Sequence, residues 1–225
     1  ELIVTDSIPL KKESKKILEK KKQNKKKMRA LELLHMPLSF MYINSEQGTR
    51  QLEGEDSPRE HNGIDLRAGI ETNVFAAHNA KVIKIGRAGG TYGNVIVLQD
   101  QNSGFLTLYA HLNNFAINPN TNELFKFGDD VGSGWIIAQS GTSGFKEYNP
   151  HFHFEIINGN QIYYGDTTIA ESIAIQGRQG ESSLALGLGQ RVKRPSPRPF
   201  LANLALRQSK QQLGLEAIPD HLLTD

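Results

Sequence analysis

The 225-residue chain contains no cysteine. Disulfides and thiolate zinc sites are therefore excluded, and the redox compartment is left open. No apolar run approaches the ~20 residues needed to cross a bilayer, so no membrane span is visible. There is no H-E-x-x-H, which excludes the zinc proteases that carry their ligands on one helix. The most lysine-rich stretch has no interleaved aromatics, so it lacks the stacking platforms of a specific nucleic-acid binder. The sequence begins at Glu1 rather than Met. A processed or trimmed product is the expectation, which leaves room for a removed signal peptide or anchor; the chain itself shows no signal peptide.

What is present is unevenly distributed. Lys11–Arg29 holds eleven Lys or Arg against two Glu, whereas from Ala30 onward acidic residues outnumber basic ones. The net charge of +2 thus averages a basic extension with a mildly acidic body. Residues 1–35 are expected to form that extension, helical over 11–34 because Lys and Glu are good helix formers and neither Gly nor Pro intervenes. It is a solvated extension or a contact for an anionic polymer such as teichoic acid or phospholipid.

Residues 36–160 read as an all-β core of antiparallel sheet. Leu38–Ile43 reads as an entering strand and residues 44–60 as a polar surface loop. Short β-rich runs then follow at Asn73–His78, Lys81–Ile85, Asn94–Leu98, Phe105–His111, Trp135–Gln139 and Phe152–Ile157. Gly, Asn and Asp clusters separate them, with no helical pattern between. Residues 112–127 form a longer connection whose Asn118-Pro119-Asn120 signals a hairpin excursion. Residues 161–225 comprise an insertion, a proline-rich connector at Arg194–Pro199 and a short helix over Phe200–Gln212.

The chemistry centres on Pro150-His151-Phe152-His153-Phe154-Glu155. On a strand, His151 and His153 project from one face and the two phenylalanines from the other. A pair of surface histidines on an amphipathic strand would give the same pattern. Three of the remaining histidines, His35, His78 and His221, read as packing or surface residues. His61 and Asp65 form an H-x-x-x-D pair at a loop-to-strand edge, and His111 ends a β-rich run. Imidazole nitrogens and carboxylate oxygens are good zinc ligands, and a catalytic zinc takes three of them with one open position. Five candidates therefore leave two histidines for proton transfer and oxyanion stabilisation. Glu155 shares the face of His153 and could support it from behind or be a structural carboxylate.

The motifs H-N-G-I-D at 61–65, Y-A-H-L at 109–112, S-G-T-S-G at 140–144 and P-H-F-H-F-E at 150–155 occur in an order that resembles the lysostaphin-type (LytM-type) zinc metallopeptidases. The resemblance covers residues 61 to 158. It implies an antiparallel β-sheet peptidase domain with a narrow groove, flanked by the basic N-terminal helix and the short C-terminal helix. It implies one Zn2+ per chain, held by His61, Asp65 and His153, with His111 and His151 as the unligated catalytic pair. It implies a metalloendopeptidase that cuts peptide cross-links of bacterial peptidoglycan, outside the cytoplasm, in periplasm, cell wall or medium. The other reading is a zinc-containing wall-binding or hydrolase-regulating module without turnover. The long segment Asn113–Phe127 and the insertion near 162–194 depart from the family pattern and bear on substrate preference.

Overall fold

The computed structural model describes residues 31–51, 56–88, 91–144, 150–158 and 194–212. Residues 11–30 of the helix expected over 11–34, the insertion up to residue 193, and His221 lie outside these residues. Fourteen short strands and one helix make up the described chain. The strands are β1 (Ile43–Ser45), β2 (Gly48–Arg50), β3 (Arg59–His61), β4 (Ile64–Arg67), β5 (Asn73–Phe75), β6 (Ala80–Arg87), β7 (Asn94–Gln99), β8 (Leu106–Ala110), β9 (Leu112–Phe115), β10 (Ile117–Asn118), β11 (Glu123–Leu124), β12 (Asp130–Val131), β13 (Ile136–Ser140) and β14 (His151–Ile157). The helix is α1 (Pro197–Gln212). The expected antiparallel β architecture with a short C-terminal helix is what forms. No described helix is long and apolar enough to cross a membrane.

The main sheet has the order β1-β4-β14-β8-β7-β6-β12, and every pairing in it is antiparallel. A second sheet, β5-β13-β9, packs beside it, and β2-β3 and β10-β11 are two-stranded ribbons. Alternation along β14 sorts its side chains. Phe152, Phe154 and Ile156 enter a core with Tyr109, Ile64, Leu66, Ile96 and Val74, all fully buried. Tyr109 meets the Phe154 ring edge-on at 5.2 Å between centroids. The other face of the sheet carries Asp65, His153 and Glu155 at one end and a smaller cluster of Val95, Val97, Leu106 and Leu108 at the other.

Three expectations change. Residues 31–34 are not helical. Leu31 and Leu33 are buried in the main core, and Leu34 and His35 donate their amides to the Ala77 carbonyl. The apolar spacing of Leu31 and Leu33 is two, so extended backbone buries both where a helix would splay them. Of the strand expected over Leu38–Ile43, only Ile43 pairs; Leu38 is a buried plug on bent chain. The loop expected over 44–60 contains β2 and β3, which pair Gly48 with His61 and Arg50 with Arg59. These strands are polar and three residues long, too short for alternation to reveal them.

The remaining elements follow the sequence closely. The Asn118 turn closes the β10–β11 hairpin, its side chain accepting from the Asn120 amide. The C-terminal helix starts earlier than expected, at Pro197, because a proline is well tolerated in the first turn. Leu201 and Leu204 anchor it in the main core.

Candidate active site

Three strands deliver the site. His61 ends β3, Asn62-Gly63 turns the chain, and Asp65 lies on β4. Gly63 is required there because a Cβ would stand 2.3 Å from the Phe154 carbonyl oxygen of β14. In the register of β4 with β14, Asp65 faces His153 and Arg67 faces His151. On its other side His153 faces Ala110 of β8, whose small side chain leaves room for the imidazole. Sequence order thus becomes one cluster through antiparallel register.

His61 Nε2, Asp65 Oδ1 and His153 Nδ1 converge, with separations of 3.0, 3.1 and 2.8 Å. All three residues are buried. Ligands at ~2.0–2.1 Å around a tetrahedral ion stand about 3.3 Å apart, so the trio needs only slight expansion to hold one. Each outward-facing atom is occupied. His61 Nδ1 donates to the Glu46 carbonyl at 2.7 Å, which turns the Nε2 lone pair inward. His153 Nε2 donates to Glu155 Oε1 at 3.0 Å, which turns Nδ1 inward. Arg50 donates to Asp65 Oδ2 at 3.0 Å and leaves Oδ1 facing the histidines. Three inward-pointing acceptors in a buried site fit a divalent cation, and oxygen plus imidazole donors fit zinc.

The electrostatics match. Burial pushes the Asp65 carboxyl up, but hydrogen bonds and charge from His153 and His61 outweigh it and hold it well below the usual carboxylate range. Burial pushes His153 down, yet bonding to Asp65 and Glu155 raises it to about 9 in the metal-free site. Burial likewise opposes ionisation of Glu155, while His153 and Arg194 bring it down to about 2.

His111 and His151 stand beside the trio. Their rings are 4.5 Å apart, and His111 is 5.7 Å from the His153 ring. His151 Nε2 lies 3.9 Å from Asp65 Oδ1. His111 sits between β8 and β9 at φ +57°, a left-handed conformation that costs roughly 1–2 kcal/mol for a residue with a Cβ. That turn swings its ring out of the strand alternation and toward the site. Its amide bonds to the Tyr92 carbonyl and its Nδ1 donates to the Ser143 carbonyl, both at 3.0 Å, so Nε2 is the basic nitrogen. Burial, with His153 and His151 nearby, pushes His111 down to about 3 and keeps it a neutral acceptor.

All five sequence-derived candidates therefore come together. His78 does not join them; it is buried under the sheet with Nε2 2.8 Å from Thr107 Oγ1. His35 packs on Phe75. Glu155 is fully buried, touches His153 and pairs with Arg194, so it is not an exposed carboxylate; contact with the histidine and a structural ion pair are both present. Sequence reasoning missed Arg50, Glu46, Tyr92, Ser143 and Arg194. Of these only Ser143 carried a signal, the S-G-T-S-G motif. Gly144, at φ +97°, lets that segment press on the 91–93 turn, and a Cβ there would lie 2.1 Å from the Thr91 carbonyl.

The sequence profile of peptidase family M23 matches residues 59–164, a span that holds all five site residues. The chain is 32% identical over 88 residues to lipoprotein NlpD of Yersinia enterocolitica, an alignment covering 39% of this chain and 81% of NlpD. The chain belongs to peptidase family M23. It is also similar to lipoprotein YgeR of Escherichia coli (strain K12), at 30% identity over 107 residues, covering 48% of this chain and 36% of YgeR. The match thus spans about a third of that relative's length. Among solved structures it is similar to the catalytic domain of the antimicrobial peptidase lysostaphin from Staphylococcus simulans. The two are 27% identical over 57% of this chain and 86% of that one, with a TM-score of 0.43.

Proposed function

We propose that this chain is a zinc-dependent endopeptidase that hydrolyses peptide cross-links of bacterial peptidoglycan outside the cytoplasm. The observation that carries the reading is the convergence of His61, Asp65 and His153 within 3.1 Å, flanked by the His111–His151 pair. His61, Asp65 and His153 would hold one Zn2+. When bound, that ion lowers the pKa of a water to ~7 and polarises the scissile carbonyl.

The chain's own groups do the rest. His111, neutral and with Nδ1 fixed on Ser143, accepts the proton of the attacking water at Nε2 and later delivers it to the leaving amine. His151, one pleat from His153 on the same face, donates a hydrogen bond to the oxygen on which charge develops. Arg50 holds Asp65 so that one oxygen faces inward throughout.

Extracytoplasmic action is supported by the substrate's location and by two relatives that are lipoproteins. A second reading is a wall-binding or hydrolase-regulating module that retains the zinc site without turnover. Purified walls incubated with the metal-loaded protein distinguish them. Soluble peptide fragments whose release stops on chelation support the peptidase; stoichiometric zinc, wall binding and no released fragments support the regulator. Mass spectrometry of the fragments identifies the bond.

A further inference from the structure

The proline-rich connector has no part in the chemistry above, yet it reaches the back of both candidate zinc histidines. Arg194 Nε donates to Glu155 Oε2 at 3.0 Å, with the arginine side chain 7% exposed and the glutamate 0%. The other oxygen of Glu155 accepts from His153 Nε2 and from the Tyr92 hydroxyl, which itself accepts from Asn62. On the other side, Gln47 Nε2 donates to the Arg194 carbonyl at 2.9 Å, and Arg198 pairs with the Glu46 carboxylate. Glu46 is the residue whose carbonyl orients His61. Two residues of the connector, Arg194 and Arg198, thus touch the supports of His153 and of His61.

We infer that Arg194–Arg198 is a clasp that positions the two histidines for metal, with Arg194 as its principal positioning residue. The physical reason lies in Glu155. A buried carboxylate that has to stay ionised needs a counter-charge, and Arg194 supplies one through a near-fully buried bond. With that charge in place, both Glu155 oxygens act as acceptors and His153 keeps Nε2–H outward and Nδ1 inward. Without it, Glu155 Oε2 is a buried acceptor that has lost its donor, and the carboxylate that fixes the imidazole loses an anchor. The Arg198–Glu46 pair is exposed on both sides, so its share is small. The inference concerns metal binding alone and stands whether or not the protein turns over substrate.

The test uses the full chain and three variants, with zinc affinity read by chelator competition and geometry by the visible spectrum of the Co2+-substituted protein. Arg194→Gln should weaken zinc about 10–100-fold and shift the cobalt bands. Arg194→Lys should recover most of the affinity, because charge and one donor return. Arg198→Gln should stay within about twofold of the parent. If Arg194→Gln lowers the melting temperature of the metal-free protein but leaves affinity and cobalt spectrum unchanged, Arg194 only packs the fold and the inference fails. Should Arg194→Gln not fold, Gln47→Ala removes the tether on the Arg194 carbonyl. It should cost several-fold in affinity, and an unchanged value overturns the clasp.

A separate observation concerns substrate. Arg67 faces His151 in the β4–β14 register, so the two side chains share the site face with Cβ atoms about 5 Å apart. Its guanidinium lies 5.9 Å from the ring centroid of Tyr42, which is 60% exposed, and has no ion-pair partner among the described residues. An arginine held on an aromatic shelf beside the catalytic pair is arranged for a carboxylate. We propose that Arg67 and Tyr42 form a subsite for a free carboxylate of the stem peptide; this rests on the peptidoglycan reading. Binding of a stem tetrapeptide and of its carboxamide form is compared on metal-loaded His111→Ala protein. The free acid should bind at least fivefold tighter, and Arg67→Gln should abolish the preference. Equal or absent binding of both forms, or a preference that survives Arg67→Gln, overturns the subsite. Failure of the peptidase reading shows separately, as a parent protein that binds but does not cleave.

Discussion

The backbone carbonyl of Ser143 accepts the Nδ1 proton of His111 at 3.0 Å, and this contact decides which imidazole nitrogen is basic. It joins two segments 32 residues apart, and it depends on close packing of the 91–93 turn against 143–144. Gly144→Ala should disturb that packing without touching a ligand. Stability should fall by about 1–3 kcal/mol, turnover should drop at least tenfold, and zinc content should stay at one per chain. Urea unfolding, wall hydrolysis and metal analysis check the three statements.

The proposed division of labour among the histidines predicts opposite phenotypes. His153→Ala should lose stoichiometric zinc, because one of three ligating atoms disappears. His111→Ala should keep zinc and lose turnover by about 10²–10⁴-fold, the usual contribution of a general base. Metal analysis alongside hydrolysis of walls separates the two; equal loss of metal in both variants would refute the assignment.

Acidity should weaken metal binding in a defined window. His153 is raised to about 9 in the metal-free site, so below that pH a bound proton on Nδ1 has to leave before a metal can enter. Apparent zinc affinity should fall about tenfold per pH unit on going down from 9, through this group alone. The metal-free fold should respond in the opposite sense. The contribution of protonated His153 is fully present below the unfolded value near 6.5 and is lost as pH rises through 9. Chelator competition and urea unfolding across pH 6 to 10 measure the two trends.

Leu33 and Leu34 test where the folded body begins. Leu33 is 1% exposed in the core and Leu34 is 46% exposed. Leu33→Ala should cost about 2–5 kcal/mol, and Leu34→Ala under about 0.5 kcal/mol. Denaturant midpoints decide; equal small effects would mean that this segment adds nothing to the core.

The sequence by itself determined the periodicity of the main strands, the principal turns and the five candidate site residues. It could do so because each rests on local chemistry. Alternation in Phe152–Ile157 follows from the pleat, and Gly63 and Asn118 sit where the backbone turns. Only the tertiary structure decided what surrounds those residues. Arg50, Glu46 and Arg194 support the candidate ligands from short polar strands and from a connector, none of which has a periodic pattern. Leu31 and Leu33 lie beside a lysine-rich stretch that reads as helix, yet contact with Ala77 and the core overrides that propensity. The five residues are legible because their chemistry is unusual. Their supports are not, because an arginine on a buried glutamate looks in sequence like any surface charge until register and packing bring the two together.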